Sequence, residues 1–336
     1  MKHFPTRRAI LGTASAVTLL ALTACGGNVG GGAAAGNSSK FPSGPVTLTV
    51  GQAAGGSTDL IARALAEGAT KTLGSPMPVV NKPGANGALA TKEVAGKTAD
   101  GQELVLLTAS LITITPLAVS ADEAVNIDDL DIIAGLSQDD YVLVASQQSG
   151  FKSFKDVTNA GRNVTFGTTG VGTGSQLAQT VLFKQANVKG TDVPFDSGKP
   201  ALTAVLGNQV ELATIQLGEA MAQIEAGKVS PLLVFSEERN SFLPDVPSAK
   251  EAGYDVPVAQ YRAVAAPKGT PQEVKDKLLA SFQDTFKTDA YKEFNKKNLL
   301  TPKELSGAEV VTEWKGYAEK YKELVEKYDI SLGGKK

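Results

Sequence analysis

Leu48-Thr49-Val50-Gly51-Gln52-Ala53-Ala54-Gly55-Gly56-Ser57-Thr58-Asp59-Leu60-Ile61-Ala62-Arg63-Ala64-Leu65 decides how the chain folds. Val46, Leu48 and Val50 alternate as in a strand, a Gly/Ala turn follows, and Leu60, Ile61, Ala64 and Leu65 recur at helical spacing behind Ser57 or Thr58 as N-cap. Strand, glycine loop and helix in that order leave unpaired N–H groups and the positive end of a helix dipole at the carboxyl edge of a sheet, where an anion is the natural occupant. The phosphate-cradling G-x-x-x-x-G-K-[ST] loop would require a lysine before Ser57, and none is there. A carboxylate fits this loop better than a nucleotide.

The device recurs downstream. Val164-Thr165-Phe166-Gly167-Thr168-Thr169-Gly170-Val171-Gly172-Thr173-Gly174-Ser175-Gln176-Leu177 again reads as strand, glycine loop, hydroxyl cap and helix. A dinucleotide fingerprint begun at Gly170 would need glycine where Ser175 stands, so a nicotinamide site is a poor match. Between and beyond these loops, strand-like runs at Val79–Val80, Glu103–Leu107, Tyr141–Ala145, Val210–Leu217, Leu232–Phe235 and up to Val264–Ala266 alternate with helical ones, which predicts a doubly wound α/β architecture. Strand-end loops at 51–59, 82–87, 108–110, 168–175, 195–199 and 214–219 fall where α/β proteins bind ligands. Thr108 and Ser110 carry hydroxyls at one such end, with satisfaction of local backbone as their simplest role. In the tail, Val310, Val311, Trp314, Tyr317, Tyr321 and Leu324 repeat at threes and fours, an amphipathic helix in which Trp314 packs rather than binds.

With 336 residues the chain can bury large cores and suggests two domains, and its 42% hydrophobic content excludes a disordered or fibrous protein. Residues 1–24 read as an export signal: Lys2, Arg7 and Arg8, then an uncharged stretch too short for a confident membrane span. Thr6-Arg7-Arg8-Ala9-Ile10-Leu11 loosely resembles a twin-arginine signal, so the export route stays open. Leu22-Thr23-Ala24-Cys25 resembles a lipobox, which marks Cys25 for lipidation and anchors the chain to the outer face of the cell membrane. Residues 25–44, rich in glycine, form a flexible tether. Loss of residues 1–24 takes the formal charge from −2 to −5, three basic residues and no acid being removed, and takes away His3, the sole histidine. Cys25 is the single cysteine. Histidine-based hydrolysis, thiol chemistry and His or thiolate metal sites therefore lack their side chains, so neither a catalytic role, nor a metal, nor a cofactor is expected. The mild acidity, with no basic tract, speaks against nucleic acid.

Gly55-Gly56-Ser57-Thr58-Asp59-x-x-Ala62-Arg63, Asn81-Lys82-Pro83-Gly84-Ala85-Asn86-Gly87, Asp100-Gly101, Gly170-x-Gly172-x-Gly174-Ser175, Val193-Pro194-Phe195, Pro200-Ala201-Leu202, Arg239, Leu243-Pro244-Asp245-Val246-Pro247-Ser248-x-x-Glu251-Ala252-Gly253 and Ala266-Pro267-x-Gly269-Thr270-Pro271 occur in that order. In this the chain resembles the tripartite tricarboxylate transporter receptors, the TctC/Bug family, from about Val46 to Tyr328. The resemblance implies a two-lobed clamshell of the type II periplasmic-binding-protein kind, each lobe a mixed sheet flanked by helices. It implies a first lobe of residues 45–142 plus 262–330, a second of 143–261, crossovers near 141–146 and 258–264, and C-terminal helices returning to the first lobe. It further implies a monomeric body that captures a small carboxylate and hands it to a two-subunit membrane permease. Carried over by position, ligand contacts fall on Gln52, Gly55, Gly56, Ser57, Thr58, Asp59, Asn86, Thr108, Ser110, Thr168, Thr169, Gly172, Thr173, Gly174, Ser175, Phe195 and Asp196. The family commonly has proline and an aromatic where Gln52 and Ala53 stand, tyrosine in place of Phe195, and Lys or Arg and Gly near Asp196-Ser197-Gly198, so citrate is not assumed.

Two other roles use the same clamshell: the receptor of an ATP-driven importer, and the binding subunit of a sensor system. Asp59 keeps two readings as well. It either complements the helix end and pairs with Arg63, or accepts a hydrogen bond from a donor on the ligand.

Overall fold

The computed structural model describes residues 41–333; the export signal, Cys25 and the tether as far as residue 40 lie outside them. The described chain runs β1 (Thr47–Val50), α1 (Ser57–Leu73), β2 (Val79–Asn81), α2 (Ala88–Ala95), β3 (Glu103–Thr108), the short helices α3 (Ala109–Thr113) and α4 (Thr115–Ala118), and β4 (Leu130–Asp139). It continues with β5 (Tyr141–Ser146), α5 (Phe154–Thr158), β6 (Val164–Thr168), α6 (Gly174–Gln185), β7 (Gly190–Pro194), α7 (Gly198–Leu206), β8 (Leu212–Gln216), α8 (Leu217–Glu225) and β9 (Val229–Val234). It ends with β10 (Gln260–Pro267), α9 (Gln272–Lys287), α10 (Asp289–Lys297), β11 (Thr301–Pro302) and α11 (Gly307–Lys327).

These strands form two sheets, β11-β4-β10-β3-β1-β2 and β7-β6-β8-β5-β9. Both are mixed. In the first, β1 pairs parallel with β2 and β3, while β10 runs antiparallel between β3 and β4. In the second, β6 is parallel to β7 and β8, while β5 is antiparallel to β8 and β9. The chain changes sheet at Asp140, between β4 and β5, and returns between β9 and β10. This is the two-lobed clamshell of mixed sheets flanked by helices.

Burial on both faces explains why the strands read as unbroken apolar runs. On β3, Leu104 and Leu106 join one core with Leu48, Ile61, Leu65 and Phe282, whereas Val105 and Leu107 join another with Val310 and Trp314. On β5, Tyr141, Leu143 and Ala145 face one core and Val142 and Val144 the opposite one. The period of two along each strand sorts neighbours to opposite faces.

Two elements differ from the sequence reading. Leu136–Asp139, outside the strand-like runs read from the sequence, belongs to the ten-residue strand β4, and 192–194, also outside those runs, completes the edge strand β7. α11 also does more than return to the first lobe. Its early residues Val310 and Trp314 pack on the first sheet, while Tyr321 and Leu324, with Ile330 and Leu332 beyond it, pack against Tyr141, Leu143 and other second-lobe residues. Tyr261 at the start of β10 stacks on Tyr317, which stacks on Tyr321, at ring-centroid distances of 4.7 and 5.9 Å. The C-terminal helix is thus a third tie between the lobes.

Candidate ligand cleft

The carboxyl ends of β1, β3, β6 and β8 face a cleft between the lobes that encloses about 290 Å³. Its first-lobe wall begins at α1. The N-cap there is Gly56, in extended conformation and with no side chain to cap the helix, so Ser57 and Thr58 stand in the first turn rather than at the N-cap. Without a capping oxygen, the first N–H groups of α1 stay available to other acceptors.

One of those acceptors comes from the opposite lobe. Ser57 N–H donates to Oε1 of Glu219, in the first turn of α8, at 2.8 Å. Glu219 is only partly exposed, and its Oε2 is sealed from solvent without a partner among the described residues. Burial pushes this carboxyl up to about 7, against the smaller opposing effect of the Ser57 N–H. Gly198 makes room for it, because a Cβ at that position would collide with Oε2.

The hydroxyls of Ser57 and Thr58 are held from beneath. Arg262, fully buried on β10, donates to Ser57 Oγ at 2.8 Å, Thr58 Oγ1 at 3.1 Å and Ser137 Oγ at 3.1 Å, and is ion-paired with Asp139 at the end of β4. Burial disfavours the guanidinium charge, but a carboxylate and three hydroxyls hold it. The arginine lies two hundred residues from the loop it organises, and only the pairing of β10 between β3 and β4 brings it there.

Asp59 bonds within the first lobe. Its Oδ2 accepts from Gly55 N–H at 2.9 Å and Arg63 Nε at 3.0 Å, and its Oδ1 accepts from Asn81 Nδ2 at 2.9 Å. Arg63 and these hydrogen bonds hold its carboxyl below the usual range even though burial alone would raise it. Asp59 ties the loop to α1 and β2 and does not line the cleft.

Of the other expected positions, Gln52, Gly56, Ser57, Thr58, Asn86, Thr108, Thr169, Thr173, Phe195 and Asp196 line the cleft. Gly55, Ser110, Thr168, Gly172, Gly174 and Ser175 do not, and most of their polar groups are spent within the fold. Thr168 Oγ1 donates to Asp192 at 2.8 Å, Ser175 Oγ accepts from Thr169 N–H at 2.8 Å, and Gly174 lies against the Tyr141 hydroxyl. Gly172, at φ +69°, gives its N–H to Gln176 Oε1, while its carbonyl accepts from Thr115 Oγ1 at 3.0 Å and Asn86 Nδ2 at 3.3 Å. Asn86 also donates to Ser110 Oγ at 3.0 Å. Since Asn86 and Thr115 belong to the first lobe and Gly172 to the second, these bonds bridge the lobes, as Glu219 does.

Sequence reasoning missed Gln216, Glu219 and Gln260 in the lining. The strand-end loop 214–219 was marked, yet an acid in a helix's first turn is so common that Glu219 alone carried no signal. Gln260 sits at the start of β10, where β10 pairs with Asp139. Among the described residues, no lysine, arginine or histidine lines the cleft.

Residues 61–330 match the profile of the tripartite tricarboxylate transporter family receptor. A UPF0065 protein of Agrobacterium vitis is 33% identical over 253 residues, 74% of this chain and 73% of that protein. BugT of Bordetella pertussis is 28% identical over 70% of this chain and 74% of its own length. Among solved structures, the periplasmic binding protein BugD superposes with a TM-score of 0.81 at 29% identity, over 87% of this chain and 99% of BugD. MatC of Rhodopseudomonas palustris, with bound malate, gives 0.77 at 26% identity over 85% and 100%.

Proposed function

Because this chain belongs to the tripartite tricarboxylate transporter receptor family, we propose that it is an extracytoplasmic receptor that captures a small organic acid bearing a carboxylate and delivers it, chemically unchanged, to a two-subunit membrane permease. Family membership supports the small-molecule ligand and the permease. The observation that carries the carboxylate is the uncapped N-terminus of α1, with Ser57 and Thr58 held by buried Arg262 at the cleft wall. The malate bound by MatC, a protein of similar fold, supports the same ligand class. Closure of a clamshell strips water from such hydrogen bonds and strengthens each of them.

In this reading the body works as a monomer and Cys25, acylated after removal of residues 1–24, holds it at the outer face of the membrane through the tether. Titration calorimetry against carboxylates, sugars and polyamines tests the ligand class: saturable heat from a carboxylate that is recovered intact supports the reading. A sugar or polyamine binding while every carboxylate fails sinks it. For the anchor, Cys25→Ala should move the protein from the membrane to the soluble fraction with ligand affinity unchanged; retention of the variant on membranes removes lipidation from the proposal.

A further inference from the structure

Leu299 stands where the chain elsewhere places glycine or a short polar residue. Within two residues of its end, α1 has Gly74, α6 Asn187, α7 Asn208, α8 Gly227 and α11 Asp329, all at positive φ. Glycine, or a short side chain that bonds locally, suits that left-handed conformation. α10 ends in the same way: Leu299 N–H donates to the Lys296 carbonyl at 3.2 Å and Leu300 N–H to the Asn295 carbonyl at 2.9 Å. Here, however, the residue at φ +55° is a leucine. The helix end alone gives no reason for it.

Packing supplies the reason. Leu300 lies in the first-lobe core with Ile61, Leu65 and Phe282, whereas Leu299 packs against the second-lobe core that holds Leu202, Leu217 and Ala220. Neighbouring residues thus enter the cores of opposite lobes. The second lobe makes room for this corner at Gly218, in the first turn of α8, where a Cβ would collide with the Asn298 carbonyl. None of Gly218, Asn298 and Leu299 lines the ligand cleft. Ser57 and Glu219 border both that cleft and a second cavity of about 270 Å³, which takes in Gly218, Asn298 and Leu300.

We infer that the corner between α10 and β11 is a clasp: Leu299, seated on the second lobe with Gly218 giving the corner room, holds the lobes together before a ligand arrives. The contact between lobes offsets the strain of a left-handed leucine. The closed form grips a ligand from both lobes, so a clasp that raises the share of that form raises apparent affinity in the same proportion. It acts beside the Ser57–Glu219 bond but is built from an apolar side chain and backbone, with no charge to titrate.

Two substitutions suit the local structure and remove the clasp. Leu299→Asn puts at φ +55° the residue type that follows α6 and α7, and Gly218→Ala puts a better helix former in the first turn of α8. Small-angle scattering at pH 5 without ligand should give a wild-type profile that matches the closed structure. Each variant should shift to a larger radius of gyration, with cooperative melting by circular dichroism showing that both lobes remain folded. Leu299→Ala, which only shortens the side chain, should shift the same way and decides if the other two fail to fold. Folded variants as compact as the wild type overturn the inference, whatever their melting temperatures, because Leu299 is then packing alone. A wild type as extended as the variants overturns it as well. No ligand enters the measurement, so either outcome leaves the carboxylate-receptor reading untouched.

Discussion

Arg262 shows how a residue outside every motif can govern one. Its guanidinium reaches Ser57, Thr58 and Ser137 from a fully buried position and pairs with Asp139. Arg262→Met should leave Asp139 as a lone buried charge and cost about 3–5 kcal/mol, read as a large fall in melting temperature. Arg262→Met combined with Asp139→Leu removes both charges, and such exchanges are often neutral or better for stability. The double variant should therefore melt near the wild type yet bind its ligand about tenfold more weakly, because the Ser57 and Thr58 hydroxyls lose the donors that aim them. Recovery of both stability and affinity would reduce Arg262 to a packing element. Asp59 makes the converse case. It sits inside the motif, and its Gly55, Arg63 and Asn81 partners make it part of the scaffold of the loop.

At the scale of elements, what was legible in the sequence was local, and what was hidden was pairing. The β1–loop–α1 unit, the 164–177 unit and α2 could be read because glycine placement, hydroxyls and a 3.6 period all lie within about twenty residues. β4 was hidden because its carboxyl end carries Ser137, Gln138 and Asp139, polar residues that are buried or half-buried against β10 rather than displayed on a loop. β7 was hidden because it is an exposed edge strand bracketed by Gly190 and Pro194. The same division runs through the site. Loops 51–59 and 168–175 announced themselves, whereas the bonds from Asn86 and Thr115 to Gly172 and from Ser57 to Glu219 join segments 57 to 162 residues apart. An isolated sequence has no record of those meetings. Loop 168–175 consequently looked more receptive than it is, since the Thr169 and Gly172 N–H groups are already taken by Ser175 and Gln176.

Across the whole molecule, those same inter-lobe bonds make closure depend on pH. With the lobes bridged as here, Glu219 Oε2 is sealed and burial pushes the carboxyl up to about 7; if the lobes part and water returns, it should titrate in its ordinary range near 4.5. The group is a carboxyl raised by closure, so the closed form binds the proton more tightly than the open one. Closure without ligand is therefore most favourable below pH 4.5, loses ground as pH rises towards 7, and changes little above it. The full effect is on the order of 3 kcal/mol if opening hydrates the carboxyl completely. The groups around Glu219 are Ser57 on α1, Lys199 on α7, Tyr141 on β5 and Asp196 in the cleft wall, and Tyr141 is raised too far by burial to ionise in this window. Asp140 and Asp192 are also raised by burial, so melting curves alone would mix several carboxyls. Small-angle scattering isolates the one that spans the cleft. The ligand-free protein should have a smaller radius of gyration at pH 5 than at pH 8, and Glu219→Gln should stay as compact at pH 8 as at pH 5, since its amide keeps the bond to Ser57 N–H and carries no charge to hydrate. A radius that rises with pH equally in wild type and Glu219→Gln would assign the pH response to Asp140 and Asp192, and leave Glu219 a wall of the cleft without a part in its closing.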